Sequence, residues 1–578
     1  MVTFRNRRLS SFAFLNTTQF LAALNDNIFK LLIIYFFIQV EGIENSHTIL
    51  AMTGAIFVLP FLFFSAFAGT LADRISKRTI IIITKSLEFL TLGLGLLAFH
   101  YESKLGAYFV LFMMATYSAI FAPSKYSILP EIVPKDHIPK ANGLMTSFTF
   151  LAIILGTFAA SFLLEITHYN FTFAMLCTMG LAFIAVVASF CIDRTPPSGS
   201  SKRFNVFFLG EIFSTLKLAT HYPSLLTSIV GSAFFLFLGA YVQLNVIPFA
   251  MQSLDLSDVQ GGYLFLLTAL GIGTGSILAG KISGRIVELG LVPLAAIGVA
   301  ICCFLLDAFS HSLYVVIPLV ILLGLFGGLY QVPLDSNIQV SSPRTSRGQV
   351  VAASNFLSFF GVLCASALLY LNSVILGLSA DKGFVIIGFL TVLVAAVLSY
   401  QYFDYVTRYI AMLLSRLHFS TTLKGQECIS DAPSIYICRH TAWNDTLLML
   451  GAQRRRMRFF IEQEHDHKHR WVQRIYHMLR VVFIPEMEAL QTQKHPNGKN
   501  GIKELLSKEF SICIFVENDD LAAEIDKLNQ SYHILKIRDE IGCPIIPVSI
   551  EKGEKIEAET FFSRLLKKFR VPAAISFG

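Results

Sequence analysis

Two residues, His440 and Asp445, have the types and the spacing for proton transfer. An imidazole whose second nitrogen is held by a carboxylate acts as a general base toward a hydroxyl. An ordinary core histidine that happens to precede an aspartate shows the same spacing, and for H-x4-D alone that is the commoner case. On one continuous helix five residues turn through about 140°, so the two side chains would point apart. They meet only if the chain changes course between them. The β-prone run 435–438 before the histidine, and the apolar run that follows Asn444, predict a strand, a loop and a helix in that order.

A second set of chemical groups lies in apolar surroundings. Asp26 and Lys30 are four apart and share a helix face, so they can pair, and Lys85 and Glu88, three apart, can do likewise. Charges in such segments either line a path or lock helices together. Lys125, Glu131 and Asp335 also fit positions at a polar rim. A cavity holding both signs of charge suits a zwitterion, and Gln243 and Asn245 would add neutral hydrogen-bonding groups.

The elements that must position these groups are of two kinds. Of 578 residues 54% are hydrophobic and 15% charged, far too apolar for a soluble chain, and no nucleic-acid partner is expected. Spanning segments recur at about 11–40, 48–72, 79–99, 105–122, 144–165, 170–192, 223–250, 261–281, 290–308, 312–332, 350–373 and 383–405. Basic residues gather on alternate loops, from Arg5, Arg7 and Arg8 through Arg74, Lys77 and Arg78 to Arg408, while the other side has little beyond Lys104 and Lys382. The positive-inside rule then places both termini in the cytoplasm. No cleavable signal is expected, because the segment after Arg8 is too long for a signal core. The nine cysteines show no metal-ligand spacing and read as reduced, and no metal site is expected.

The longest inner loop, about 193–222, divides the membrane part into two sets of six, which suggests an all-α polytopic domain of the major facilitator fold. Gly69-Thr-Leu-Ala-Asp73-Arg74-Ile-Ser-Lys77-Arg78 resembles the signature of that superfamily, and Gly280 to Arg285 is a degenerate copy in the second half. The glycine allows close helix approach, and Asp73 can pair with basic residues or a helix end.

Further stretches resemble the bacterial lysophospholipid transporters: Leu24-Asn25-Asp26-Asn27-Ile-Phe-Lys30, Pro123-Ser-Lys125 through Glu131, Ala141-Asn-Gly143, and Val332-Pro-Leu-Asp335-Ser-Asn-Ile-Gln339. The resemblance covers most of 10–405. It implies a protein of the bacterial inner membrane that moves lysophospholipid from the outer to the inner leaflet without ATP, with Asn25, Asp26, Asn27, Lys30 and Lys125 among the candidate contacts.

After about residue 405 charged residues become frequent. Residues 406–425 read as a linker or interfacial helix, an extension of the last span being equally compatible. Beyond them, β-prone runs at 434–438, 457–461, 480–484, 511–516 and 544–550 alternate with helical patterns, which indicates a small α/β domain over 426–578. His465-Asp-His-Lys-His469 reads as a solvated face rather than a metal tract. The basic run 454–458 suits anionic lipid, an acidic acyl carrier protein, or plain solvent.

This domain resembles the glycerolipid acyltransferases, whose signature is H-x4-D, and within them the 2-acylglycerophosphoethanolamine acyltransferases. Val481 to Glu486 fits their second block and Cys513-Ile-Phe-Val-Glu517 their third, although Val516 and Asn518 stand where Pro and Gly are usual. The resemblance implies that His440 deprotonates a lysophospholipid hydroxyl, Asp445 fixes the imidazole, and Glu517 positions the glycerophosphate. The acyl donor would be acyl-acyl carrier protein or acyl-CoA, with no bound cofactor. Relatives of fuller architecture append an acyl–carrier-protein synthetase, so that enzyme is expected either as a separate protein or in a longer chain. Three readings result: a bifunctional repair protein, a transporter of another amphipath with a regulatory C-terminal domain, or a lysophosphatidate acyltransferase fused to an unrelated carrier.

Overall fold

The computed structural model describes residues 2–42, 46–202, 207–222, 224–425, 432–439, 445–453, 455–461, 482–483, 499–508, 510–516, 525, 529, 534–552 and 571–577. The chain divides into two compact units, Met1–Gln401 and Tyr402–Gly578.

Among its described residues the first unit has helices and no strand: α1 (Val2–Glu41), α2 (Ser46–Arg74), α3 (Lys77–His100), α4 (Lys104–Ser127), the short α5 (Leu129–Ile132), α6 (Ile138–Ile166) and α7 (Phe171–Phe190) form the first half. After α8 (Phe208–Ala219) come α9 (Leu225–Leu254), α10 (Asp258–Ser283), α11 (Leu291–Ala308), α12 (Leu313–Ser341), α13 (Arg347–Tyr370) and α14 (Ala380–Gln401). Among the described residues, 12 helices are long and apolar enough to cross a membrane, six on each side of α8.

The expected spans are all present, but two run on past a proline. The fourth continues through Pro123 to Ser127, and the tenth through Pro333 to Ser341. Neighbouring helices re-satisfy the freed carbonyl in a membrane, so proline does not end the helix there. Asp335 therefore sits within α12 rather than in a loop. Helix starts follow local chemistry: Asn170 accepts from Phe173 N at 3.0 Å, and Ser257 and Gln260 form a reciprocal capping box. Close packing of α10 on α12 depends on glycine, since a Cβ on Gly324 would stand 2.0 Å from the Thr268 carbonyl oxygen.

The second unit begins with α15 (Phe403–His418), continuous with β1 (Phe419–Lys424). Residues 419–424 are thus a strand, not part of a linker. There follow β2 (Ile435–Arg439), α16 (Asp445–Ala452), β3 (Met457–Ile461), β4 (Val482–Phe483), α17 (Lys499–Ser507), β5 (Ser511–Val516), α18 (Ile534–Ile541), β6 (Ile545–Lys552) and β7 (Val571–Phe577). Among the described residues seven strands lie in the order β1-β7-β6-β2-β5-β3-β4. From β6 to β4 every pairing is parallel, while β7 runs antiparallel to β6 and parallel to β1.

Alternation along the strands builds two apolar layers. Tyr436, Cys438, Phe459, Cys513 and Phe515 pack against Ala411 of α15 and Leu448, Met449 and Leu450 of α16. Ile435, Ile437, Phe460, Ile512, Ile514 and Val516 pack against α17 and α18 on the other face.

Candidate functional site

In the membrane unit the halves enclose a cavity of about 420 Å³. The first half contributes Asp26, Asn27, Lys30, Ser118, Lys125 and Tyr126, and the second contributes Ser232, Gln331, Asp335 and Asn355. Phe57, Phe61, Phe121, Phe150, Phe235 and Phe359 supply aromatic wall. Two carboxylates and two ammonium groups therefore face one space with large apolar surfaces beside them. Such groups suit a ligand that is charged at one end and apolar at the other.

Each charge is held separately. Ser118 Oγ donates to Asp26 Oδ2 at 2.8 Å, and the Lys30 ammonium sits 5.5 Å from the Phe57 ring centroid. The expected Asp26–Lys30 pair is not formed: sharing a helix face brings the groups near each other without fixing their rotamers, and each finds its partner on another helix. Lys125 lies over Tyr126 at 4.8 Å and Phe121 at 5.7 Å. Asp335 Oδ1 accepts from Gln331 Nε2 at 2.8 Å and Ser232 Oγ at 3.1 Å. Neither Lys125 nor Asp335 is a rim residue.

Other candidates lie elsewhere. Lys85 and Glu88 form the expected ion pair, but it is fully buried in the packing of α3, with Lys85 4.3 Å from the Phe121 ring centroid, and it does not line the cavity. Asn25 is buried, outside the cavity, and both its amide atoms have no hydrogen-bond partner among the described residues. Asn245 is buried and donates to the Ala380 carbonyl oxygen at 2.8 Å, whereas Gln243 is exposed on α9, and neither lines the cavity. Asn27 does line it, while donating to the Ala23 carbonyl oxygen at 2.7 Å.

At the basic loops the two halves are tied together by the Gly69–Arg78 motif and its neighbours. Asp73 accepts from the backbone N–H groups of Gly348 at 2.7 Å and Gln349 at 2.9 Å, so its carboxylate caps the start of α13. Gly69 makes that approach possible: a Cβ there would stand 2.6 Å from Ala352 Cβ and 2.9 Å from the Gly348 carbonyl oxygen. Lys77 is fully buried and donates to Glu131 and Ser198, each at 2.6 Å. Arg78 donates to the carbonyl oxygens of Ile192 at 2.5 Å and Phe190 at 2.8 Å, and Arg74 is exposed.

In the second half Gly284 stands where Asp73 stands in the first, so the copied motif has no carboxylate to cap a helix. A different contact joins the halves near there: Asn142 of α6 donates through Nδ2 to Ser336 Oγ and Gln339 Oε1 of α12, both at 3.1 Å. The central loop adds a tie that sequence reasoning missed: Glu211 of α8 is buried and accepts from Thr70 at 2.6 Å. An acidic residue amid the mostly basic charges of that loop was the available signal.

In the second unit the expected strand, loop and helix are present, as β2 and α16. Asp445 is the first residue of α16 and is fully buried, where the helix N-terminus favours a carboxylate. It lies close enough to β5 to act on Cys513. Burial, then the neighbouring Cys438 and Asp445, hold that thiol well above its ordinary pKa, so Cys513 is inert apolar filling. His440 and Glu517 lie outside the described residues, as do Arg454, the 465–469 cluster and the second-block residues 484–486. Arg439 and Val516, the last residues of β2 and β5, are register partners, one position before His440 and Glu517 respectively. Ligands bind at the carboxyl ends of such parallel strands. The basic run is partly committed internally: Arg458 donates to both carboxylate oxygens of Asp404 at 3.0 Å, and Arg456 stacks 4.2 Å from the Phe510 centroid.

Residues 15–366 match the Major Facilitator Superfamily, and residues 420–551 match the Acyltransferase family. The lysophospholipid transporter LplT of Photorhabdus laumondii is 31% identical over 304 residues, which is 52% of this chain and 73% of that protein. The LplT of Klebsiella pneumoniae is 29% identical over 346 residues, 58% of this chain and 82% of that one. Among solved structures, the human organic anion transporter MFSD10 superposes with a TM-score of 0.56 at 16% identity, covering 68% of this chain and 99% of that one. The transporter FucP in its outward conformation superposes with a TM-score of 0.57 at 13% identity, covering 68% and 98%. At those identities the structures speak for the fold alone. The chain belongs to the major facilitator superfamily, and it carries an acyltransferase-family domain after the helices long and apolar enough to cross a membrane.

Proposed function

We propose that the protein flips lysophospholipid inward across the inner membrane and reacylates it to a two-chain phospholipid. The observation that carries this reading is the cavity, with Asp26, Lys30, Lys125 and Asp335 beside aromatic walls. A zwitterionic head group brings a phosphate for the lysines and an amine for the carboxylates, and the single acyl chain matches the phenylalanine surfaces. The named substrate of the LplT relatives supports the same choice. Alternating access then requires the Asp73 and Asn142 contacts to break at one end.

With the basic loops cytoplasmic, cargo arrives in the leaflet that faces the acyltransferase domain. There His440 would take the proton of the free glycerol hydroxyl as its oxygen attacks the thioester carbonyl of acyl-acyl carrier protein or acyl-CoA. The tetrahedral intermediate collapses by expelling the thiolate, which leaves with the proton returned from His440. Asp445, buried at the start of α16, would orient the imidazole, and Glu517 would position the glycerophosphate. An acyl–carrier-protein synthetase would supply the donor.

The test is purified protein in liposomes given radiolabelled lysophosphatidylethanolamine and acyl-acyl carrier protein. Label should enter the vesicles and convert to two-chain lipid. Uptake without conversion would remove the enzymatic half of the reading, and absence of uptake would remove the transport half.

A further inference from the structure

One face of α15 is covered, and the other, which is apolar, is not. On its covered side Arg408, Tyr409, Ala411, Met412 and Ser415 are buried, Ala411 within the apolar layer on the sheet, and its N-terminal end is fastened by the Asp404–Arg458 pair. Away from the sheet it presents Ile410, Leu413, Leu414 and Leu417, which are 38%, 40%, 51% and 66% exposed. Their spacing of 0, 3, 4 and 7 is that of a single helical stripe, with the exposed Arg416 beside it. Four large aliphatic side chains in one row are not left in water without a reason.

Chain connectivity indicates what covers them. α14 is long and apolar enough to span the membrane and ends at Gln401; Tyr402 alone separates it from Phe403, where α15 begins. Consecutive Cα atoms are about 3.8 Å apart, so the first turn of α15 cannot leave the level at which the preceding span meets the membrane surface. An amphipathic helix at that level has acyl chains for its apolar stripe and head groups for its arginine.

We propose that α15 lies in the head-group layer of the leaflet on the basic-loop side, with Ile410, Leu413, Leu414 and Leu417 turned to the acyl chains. The acyltransferase domain then draws its lipid acceptor from that leaflet rather than from water; this second part rests on the enzymatic reading above. The buried face of α15 gives the docking its use. A Cβ on Gly451 of α16 would stand 2.5 Å from Ser415 Oγ, so the two helices are in direct contact. α16 begins with Asp445. A helix seated in the leaflet therefore backs directly onto the helix that carries the candidate carboxylate.

The test uses full-length protein with Leu414→Trp, reconstituted in phosphatidylethanolamine–phosphatidylglycerol vesicles. Some vesicles carry bromine near the head group and others at the chain ends. The fluorescence added over the parent, which has two tryptophans of its own, should be quenched most by the shallow bromines. Lys536→Trp, on the α18 layer at the opposite face of the sheet, should not be quenched. Leu414→Trp emission insensitive to both lipids overturns the docking, whether water or a second copy covers the stripe. A second arm compares acceptors in the Leu413→Glu/Leu417→Glu variant. Acyl transfer to vesicle-embedded lysophospholipid should fall roughly tenfold, chiefly through KM, because two carboxylates are unfavourable among acyl chains. Transfer to a short-chain, water-soluble acceptor should stay at the parent's rate. Equal losses on both acceptors overturn the delivery role. A parent with no transfer to either acceptor would instead sink the enzymatic reading, and the quenching arm would still decide the docking.

Discussion

Replacing Asp73 by alanine should unseal the basic-loop end of the membrane unit. The carboxylate accepts two backbone N–H groups of α13, at 2.7 and 2.9 Å, and both bonds exist only while α2 and α13 are apposed. Hydrogen bonds to a charged group contribute about 1.5–3 kcal/mol each. Losing the pair thus weakens the sealed state by about 3 kcal/mol or more, and at 1.4 kcal/mol per decade that is roughly a hundredfold shift in the equilibrium. The assay places a cysteine at Ser354, a cavity-lining position on α13, in a background without other reactive cysteines. An impermeant maleimide applied from the basic-loop side should label Asp73→Ala at least tenfold faster than the parent, with Asp73→Asn between them. Gly69→Leu should act in the same direction without touching a charge, since even its Cβ would stand 2.6 Å from Ala352. Unchanged labelling in Asp73→Ala, at parental abundance in the membrane, would refute the assignment of the seal to this carboxylate.

Three other predictions test separate parts of the reading. Asp26→Ala should abolish lysophospholipid uptake while the protein stays folded in the membrane, because it removes a cavity carboxylate held by Ser118; parental uptake would dismiss the site. Either His440→Ala or Asp445→Asn should lower acyl transfer on the order of a hundredfold or more and leave uptake across the membrane intact, measured on the same liposomes. If uptake stops as well, the two units are coupled. A cysteine at Asn497 should resist an impermeant thiol reagent in intact cells, and ready labelling there would reverse the orientation.

The sequence made the spans legible because a bilayer demands long apolar helices, and it made the Gly69–Arg78 motif legible because glycine and aspartate each have one physical use there. It could not say which way a helix faces. Gln243 and Asn245 are two residues apart, about 200° around α9, so they could not both face one cavity, and in fact neither does. Asp26 and Lys30 share a face, yet the partner of Asp26 is Ser118, 92 residues away. In the second unit five strands were readable as β-prone runs, and β1 and β7 were not. β7, Val571-Pro-Ala-Ala-Ile-Ser-Phe577, has a proline and two alanines, and it becomes a strand only because β1 and β6 lie on either side of it.

That last pairing sets an order of events during synthesis. β1 is made soon after the final membrane helix, but its sheet partner β7 lies about 150 residues further along, and among the described strands it is β7 that joins β1 to the rest of the sheet. Until Phe577 has cleared the ribosome, β1 lacks its sheet partner β7 and one edge of β6 stays open. The membrane unit has no such dependence and can assemble while the rest is still being translated. A nascent chain stopped short of residue 571 would therefore yield an inserted transporter trailing an unfinished domain, recognisable by rapid proteolysis of everything after the last span.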